Sequence, residues 1–462
     1  MPTRPPDVLV IGGGNAALCA AIAARRRGAD VLLVERATRE WRGGNSKYTR
    51  NLRCVHHEPD GLMPGRYDEE EFFDDLMQVT GPDTDQELAR LCIAASAEAP
   101  RWMEQNGISW QPAMRGTLQL GRTNRFFLGG GKALVNTLSA TAERLGVRIL
   151  YETPVLDFAI AGDRCEAVTL GSREGEWVLE PRALVIASGG FEANIGWLEE
   201  LWGPAARNYA IRGTRQNEGL PLRRMLEHGA MARGNPKGFH AIAVDARGPQ
   251  FEGGIVTRVD SVPFSVMVNE HGERFYDEGE DLWPKRYATW GRLIAEQPNQ
   301  RAWSVFDEKV VGGFMSTVFP PHSAGSIQEL ARLCSLDPAA LTGTIAAYNG
   351  SLNGNGNVYD PGRLDGLATV GMTPPKSNWA LPIDRPPFYA YPLRPGITFT
   401  YLGLGVDADA RVRRAGEGSF RNVFAAGEVM AGNILRRGYL AGFGMTIGTV
   451  FGRIAGERSA DV

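Results

Sequence analysis

One stretch of about thirty residues constrains this chain more than any other. Asp7-Val8-Leu9-Val10-Ile11 is a nearly all-apolar run that ends on Gly12-Gly13-Gly14. Asn15 to Arg27 is an alanine-rich helical stretch stopped at Gly28, and Val31-Leu32-Leu33-Val34 is a second apolar run ending at Glu35. Buried parallel strands read as continuous apolar runs, so the order is strand, glycine turn, helix, strand: a βαβ unit with a parallel pair. Within it, Gly12-x-Gly14-x-x-Ala17 fits the G-x-G-x-x-G/A pattern. Gly12 permits the tight turn, Gly14 lets backbone approach a pyrophosphate, and Ala17 keeps the helix close to the sheet. The helix N-terminus offers free N–H groups and the positive end of a dipole to that anion. Glu35 falls 23 residues after Gly12, where a carboxylate can accept from ribose hydroxyls. A dinucleotide site is therefore the first expectation. The arginines that close the helix, Arg25 to Arg27, suit its dipole and are expected to be structural.

The rest of the chain extends this unit. Amphipathic helices are expected near Glu69 to Phe73, over Glu87 to Gln105 and over Lys132 to Gly146. Between 147 and 187, strand-like pieces alternate with turns: Val147 to Tyr151, Val155 to Ile160, Ala167 to Leu170, Trp177 to Glu180. The last, Ala183 to Ala187, runs into Ser188-Gly189-Gly190, and much later Val423-Phe424-Ala425-Ala426 runs into Gly427-Glu428. Three apolar strands thus deliver their C-terminal ends to glycines, the edge where doubly wound sheets bind ligands. Residues 232 to 370 differ in character, being rich in turns and aromatics, with Pro320-Pro321 and a surface turn at Asn353-Gly354-Asn355-Gly356-Asn357. At 462 residues the chain is about three times the usual ~150-residue domain. We therefore expect one discontinuous domain, 1–231 with 371–462, and a separate lobe, 232–370, inserted before its last strands.

Composition narrows the ligand and the partners. The chain has 57 glycines, well above the usual ~7%, as an extended ligand threaded along loops would require. Lys plus Arg number 50 against 53 Asp plus Glu, a net charge of −3, so no polybasic footprint exists and nucleic acid is not an expected partner. The five cysteines, at 19, 54, 92, 165 and 334, form neither C-x-x-C nor C-x-x-C-H. That pattern argues against structural zinc, iron–sulfur clusters and covalent haem; no metal site is expected, and reduced thiols in a cytoplasm are. Met1 to Pro6 runs into a strand with no apolar signal region, and no apolar stretch of ~18 residues follows, so a soluble, non-exported protein is expected. FAD is favoured over NAD by two features. A second glycine element, Gly43-Gly44-Asn45-Ser46-Lys47, follows the strand ending at Glu35, and Ala425 to Glu428 returns to the same edge. No second complete G-x-G-x-x-G is present, so no dedicated NAD(P)H domain is expected.

At this point the residues resemble a family: the flavoprotein subunits of succinate dehydrogenase and fumarate reductase, with their ketosteroid-dehydrogenase relatives. The resemblance rests on Val10 to Gly14, Gly43 to Lys47, Ala187-Ser188-Gly189-Gly190-Phe191, the N-x-x-G-E-R-F piece Asn269 to Phe275, and Ala425-Ala426-Gly427-Glu428-Val429. Within the family, Gly43-Gly44-Asn45-Ser46-x-x-Thr49-Arg50-Asn51-Leu52-Arg53, Gly432-Asn433-Ile434-Leu435 and Gly438-Tyr439-x-Ala441-Gly442 look most like the tricarballylate dehydrogenases. The resemblance implies an α/β fold: a Rossmann-like FAD-binding domain with an inserted α+β capping domain, the substrate lying between cap and flavin. It implies oxidation of a carbon–carbon single bond, with hydride passing to flavin N5 while a base takes a proton from the neighbouring carbon. The FAD contacts it implies are Gly12, Gly14, Asn15, Ala16, Glu35 and Arg36 in the βαβ unit, then Gly43, Gly44, Asn45 and Ser46. Further along they are Val155, Ser188, Gly189, Gly190, Asn217, Glu428, Gly444 and Met445. No histidine lies where succinate dehydrogenases attach FAD covalently, so noncovalent FAD is expected; His56 and His57 are the near exceptions.

For catalysis the resemblance matches His240 to a histidine that contacts a substrate carboxylate, and Arg286 to the arginine that shuttles a proton. An unperturbed arginine is a poor base, so that role needs a relay with a carboxylate such as Glu270 or Asp277. Two departures stand out. The second substrate histidine of fumarate reductases falls near Thr398-Phe399-Thr400, and their substrate arginine falls at Tyr439, which counts against plain succinate or fumarate. Tyr439 before glycines resembles instead the ketosteroid dehydrogenases, where a tyrosine beside the flavin assists. A steroid pocket should be apolar, however, whereas Arg436 and Arg437 precede Tyr439, and Arg122 and Arg125 stand before Gly129-Gly130-Gly131. The expected substrate contacts are Arg122, Arg125, Arg437, Thr400 and Glu270, with Arg286, Tyr439 and His240 catalytic; solvated surface charge is the competing reading for each arginine. The leading expectation is an FAD-dependent dehydrogenase of a small polycarboxylate, tricarballylate to cis-aconitate. It would pass electrons to a membrane-associated iron–sulfur partner from a cytoplasmic position, peripheral at the inner membrane. The alternatives are a 3-ketosteroid-type dehydrogenase or fumarate reductase, and a flavoprotein serving electron transfer in a cobalamin-type pathway.

Overall fold

A computed structural model describes residues 4–114, 116, 120–353 and 356–462. Of the surface turn expected at 353–357, Gly354 and Asn355 lie outside the described residues, as do Met1 to Thr3. The chain begins with β1 (Val8–Ile11), α1 (Asn15–Arg26), β2 (Val31–Val34), α2 (Gly130–Arg144), β3 (Arg148–Leu150) and β4 (Ala183–Ile186). It continues through β5 (Ala232–Asp245), β6 (Val266–Asn269), β7 (Ala302–Asp307), β8 (His322–Ala324), α3 (Ile327–Leu333), α4 (Pro338–Gly350) and β9 (Phe388–Leu404). It then returns through β10 (Arg411–Arg413), β11 (Ser419–Ala425) and α5 (Phe443–Ala460).

The first sheet has the order β10-β11-β4-β1-β2-β3. β1 is parallel to both β2 and β4, and β4 is parallel to β11, with Ile11 opposite Val34 and Ile186, and Ile186 opposite Ala425. The register aligns the strand ends, so Gly12, Glu35, Ala187 and Ala426 leave the sheet along one edge. Every residue of β1, β2 and β4 is buried, and each such Val, Leu or Ile contributes roughly 1.5–3 kcal/mol. α1 and α5 pack closely against each other because small residues face the contact: a Cβ on Gly452 or Gly456 would sit 2.6 Å from the Ala16 carbonyl or 2.2 Å from that of Ala20. Arg25 and Arg26 hold the end of α1, donating to the Leu145 carbonyl and the Asn106 side chain, as their structural reading anticipates. The strand pieces expected after β3 form a three-stranded antiparallel sheet, Val155–Ala161, Arg164–Ser172 and Gly175–Leu179.

Two expectations need correction. The single helix expected over 87–105 is two, Gln86–Ala95 and Ala99–Glu104. Pro100 cannot donate to the Ser96 carbonyl and its ring crowds it, and the Ser96 hydroxyl instead donates to the Ile93 carbonyl and accepts from Val55 N–H. The inserted lobe also runs past 370. Its sheet pairs β6 with β7, and β7, β8 and β5 with β9, and its separate apolar core joins Val266, Val305, Leu330, Leu341 and Ile345 to Ile383, Phe388 and Ala390. Lys376, fully buried, donates to the carbonyls of Pro263 (2.8 Å) and Ser265 (2.6 Å). Residues 371–390 therefore stay with the lobe, held by contacts between segments about a hundred residues apart.

All five cysteines are buried free thiols. Among the described residues, no group of acids, cysteines and histidines could hold a metal ion, and no helix is long and apolar enough to cross a membrane.

Candidate active site

The aligned ends of β1, β2, β4 and β11 open on a cavity of about 400 Å³ that continues under the lobe. At one end it is made of backbone. Gly12 has φ +111°, and a Cβ there would lie 2.4 Å from the Ala187 carbonyl oxygen, so only glycine fits. Gly14 precedes α1 without offering a side-chain cap, and the Asn15 N–H is taken by Ser46 Oγ at 2.9 Å. Glu35 is buried at the end of β2 and accepts from Ala37 N–H (2.8 Å); burial pushes its carboxyl up from the usual range. Ser188 Oγ is buried with no hydrogen-bond partner. A helix start with glycine at its N-cap, a strand-end carboxylate and an orphaned hydroxyl around a channel that a Cβ would block fit an extended dinucleotide.

The expected FAD contacts all line this cavity except Gly190. Gly190 lies behind the wall, between two carboxyls: a Cβ on it would be 2.3 Å from Glu428 Oε1 and 2.7 Å from Glu192 Oε2. Glu192, fully buried, accepts through Oε1 from Asn45 Nδ2 (2.5 Å) and Asn217 Nδ2 (2.7 Å). Glu428 accepts from Thr400 N–H at 2.9 Å. Burial pushes both carboxyls up, and for Glu428 the charge of Glu192 adds to it. His56 meets the backbone of Tyr67 and His57 faces Glu69, both away from the cavity, which suits noncovalent FAD.

The other end is made of side chains from remote segments. Arg50, Arg212 and Arg258 line it with His240, Trp283, Tyr287, Thr398, Phe399 and Tyr439. The three arginines are less than 10% exposed, at 6%, 9% and 8%. Arg212 Nε donates to Thr398 Oγ1 (2.9 Å), and Arg258 pairs with Asp260 (2.6 Å) while lying over the rings of Trp283 and Tyr287. Arg50 Nε and Nη2, Arg212 Nη1 and Arg258 Nε are buried without acceptors. Burial first, and then neighbouring guanidinium groups, pull Arg50 down to about 9 and Arg212 to about 10. His240 stacks on Tyr439 with centroids 4.3 Å apart and planes 4° from parallel, and edges onto Tyr287. Burial, Arg212 and Arg258 hold its imidazole neutral, well below the usual histidine range, and its Nε2 has no partner. The Tyr439 hydroxyl accepts from Gly444 N–H (2.8 Å). Burial pushes Tyr287 up to about 12 against the pull of all three arginines.

His240 and Tyr439 are thus brought together at this end. A register shift between His240 and Ala241 on β5, opposite β9, accompanies that placement. The other expected catalytic and substrate residues are not. Arg286 pairs with Glu280 (3.3 Å) outside the cavity, because on the Trp283–Arg286 turn Trp283 and Tyr287, four apart, share the face that looks in. Glu270 accepts from Asn299 in a second cleft, and Asp277 accepts from the backbone of Gly279 and Ser377. Arg122 is held by Glu71 and the Arg66 carbonyl, Arg125 by Asp60, and Arg437, largely exposed, faces Asp83 at 3.8 Å. Thr400 is fully buried behind the wall, bonded to Glu428; its neighbour Thr398 lines the cavity instead. Arg212, Arg258, Tyr287 and Glu192 carry no signal in the sequence that separates them from surface residues. Arg50 stood only within the Gly43 to Arg53 run.

Comparison with known proteins agrees with this geometry. The FAD binding domain family matches residues 7–442. An NADH:fumarate oxidoreductase from Klebsiella pneumoniae (strain 342) is 26% identical over 471 residues, covering 98% of this chain, while the chain spans only 47% of that relative's length. By fold, the open conformation of a flavocytochrome c3 fumarate reductase superposes with a TM-score of 0.76 at 22% identity, covering 100% of this chain and 79% of that one. A 3-ketosteroid-Δ4-(5α)-dehydrogenase from Rhodococcus jostii RHA1 gives 0.74 at 22%, covering 99% and 97%. These matches do not single out the tricarballylate dehydrogenases. The chain belongs to the FAD binding domain family, and its cofactor is FAD.

Proposed function

We propose that this FAD-dependent oxidoreductase oxidises a carbon–carbon single bond of a small polycarboxylate, with tricarballylate to cis-aconitate as the reaction. The observation that carries the proposal is the set of buried, unpartnered N–H groups on Arg50, Arg212 and Arg258 converging on one end of the cavity. Arg258 has Asp260, whereas Arg50 and Arg212 have no carboxylate partner among the described residues, so the end of the cavity carries uncompensated positive charge. Buried charge is stable only when paired, and a substrate with several carboxylates supplies both the charge and the acceptors.

FAD, when bound, supplies the hydride acceptor. The chain's residues do the rest. The guanidinium groups fix the carboxylates and stabilise the negative charge that develops beside a carboxylate as its α-proton leaves. His240, neutral, offers Nε2 to the same substrate, and Tyr287 and Tyr439 are the other proton-bearing groups on that wall. Tyr287 takes the place expected for Arg286. Reoxidation through a separate iron–sulfur electron-transfer partner completes the proposal.

A ketosteroid-type reaction is the second reading. The Gly444 N–H aimed at the Tyr439 hydroxyl, within an aromatic cluster of Phe399, Tyr287 and Trp283, is what favours it. A neutral steroid would leave the arginine donors unsatisfied. Anaerobic mixing with tricarballylate, succinate or a 3-ketosteroid, followed by flavin bleaching, separates the readings: tricarballylate should bleach the flavin, and bleaching by the steroid alone would sink the polycarboxylate reading.

A further inference from the structure

Glu192 is fully buried behind the cavity wall and takes no part in the reaction proposed above. Its Oε1 is satisfied by two amides, Asn45 and Asn217, which themselves line the cavity. Its Oε2 has no donor and faces Glu428 across Gly190. Glu428 lines the cavity and receives the Thr400 N–H. No lysine, arginine or histidine pairs with either carboxyl among the described residues. The ionisable groups that sense Glu428 besides Glu192 are the neutral hydroxyls of Tyr401 and Tyr439.

Glu192 is fully buried and Glu428 half-buried on the cavity wall; two carboxyls pressed against one glycine there, with no cation beside them, cannot both be ionised, because no counter-charge offsets their repulsion. A proton between them supplies the donor that Glu192 Oε2 lacks. Asn45 and Asn217 can each donate to the half that stays ionised, which makes a net charge of −1 the stable state of the pair.

We propose that Glu192 and Glu428 share one proton at neutral pH and bind a second when the flavin is reduced, making the pair the proton-uptake site linked to the cofactor. Two electrons and one proton entering the flavin leave it one unit more negative. The pair then gains one proton from solvent, forming a single O–H bond and going from −1 to neutral, and no other bond changes. By linkage, the same coupling makes protonation of the pair favour reduction. The direction in which burial moves both carboxyls agrees. The proposal rests on the cofactor and not on the substrate class.

Reductive titration of the holoenzyme with dithionite at several pH values above neutral tests it. The wild type should take up two protons per two electrons, and the Glu192→Gln/Glu428→Gln double variant one, halving the dependence of the flavin potential on pH. An unchanged dependence in the double variant would overturn the proposal. Where a variant retains no flavin, infrared spectroscopy of the apoprotein decides. A protonated-carboxyl band should persist at neutral pH in the wild type and in Glu35→Gln and vanish in Glu192→Gln; its absence from the wild type, or its survival in Glu192→Gln, would equally refute it.

Discussion

The two ends of the cavity are built on different principles. The end at Gly12, Gly14 and Glu35 is shaped by glycine backbone and one carboxylate within one βαβ unit, and its key positions lie within 24 residues of one another. The end at Arg50, Arg212, His240, Arg258, Tyr287 and Tyr439 recognises through side chains gathered from positions 50 to 439, from both the sheet domain and the inserted lobe. A backbone cradle tolerates almost any side chain nearby but not a Cβ in the wrong place. A side-chain site tolerates changes in its connecting loops but not the loss of one buried donor. In the function proposed above, the first end holds the cofactor and the second the substrate, so one fold type can serve different substrates by changing the second end alone.

That comparison can be broken experimentally. The largest effect is expected at the backbone end. Gly12→Val needs φ +111° from a β-branched residue and drives a Cβ into the Ala187 carbonyl, so the purified protein should carry no flavin absorbance; full flavin content would show that the cradle is looser than described. Next comes the side-chain end. Arg212→Ala should keep the flavin and lower turnover by about 10²- to 10³-fold, corresponding to roughly 3–4 kcal/mol of lost charge-assisted bonding in a buried site. A loss below tenfold in steady-state kinetics would remove Arg212 from substrate recognition. The smallest effect belongs to the arginines that sit outside. Arg122→Ala and Arg437→Ala break solvent-exposed ion pairs worth about 0–1 kcal/mol, so turnover and melting temperature should stay close to wild type; a strong kinetic defect in either would extend the substrate site beyond the cavity.

The legibility of the two ends follows the same division. β1, α1, β2 and the strand ends at Ser188 and Gly427 could be read because their signals are local: apolar runs, a glycine pattern and a carboxylate at a set spacing. The break at Pro100 was also a local signal, outweighed by the amphipathic pattern around it. Residues 371–390 offered none, since the hydrogen bond that ties Lys376 to Pro263 and the apolar core that Ile383 shares with Val266 both span more than a hundred positions. Arginines were the hardest. Arg122, Arg125 and Arg437 sit beside glycines that pointed to the site, yet carboxylates of their own neighbourhoods hold them. Arg212 and Arg258 have unremarkable sequence surroundings and are buried in the cavity wall. One helical turn separates the two kinds cleanly: Trp283 and Tyr287 share a face, and Arg286 is a step out of phase.

From sequence alone, this chain was bound to build a parallel sheet with a glycine-lined edge, because strand burial, tight turning and helix–anion attraction act over a few residues and leave their marks in order. Which charges stay in water and which are stripped of it, and hence which arginines demand an anion and which carboxyls must share a proton, was decided only when distant segments closed over one another. Burial belongs to the assembled molecule, and the cost of an unpaired buried charge exists only there.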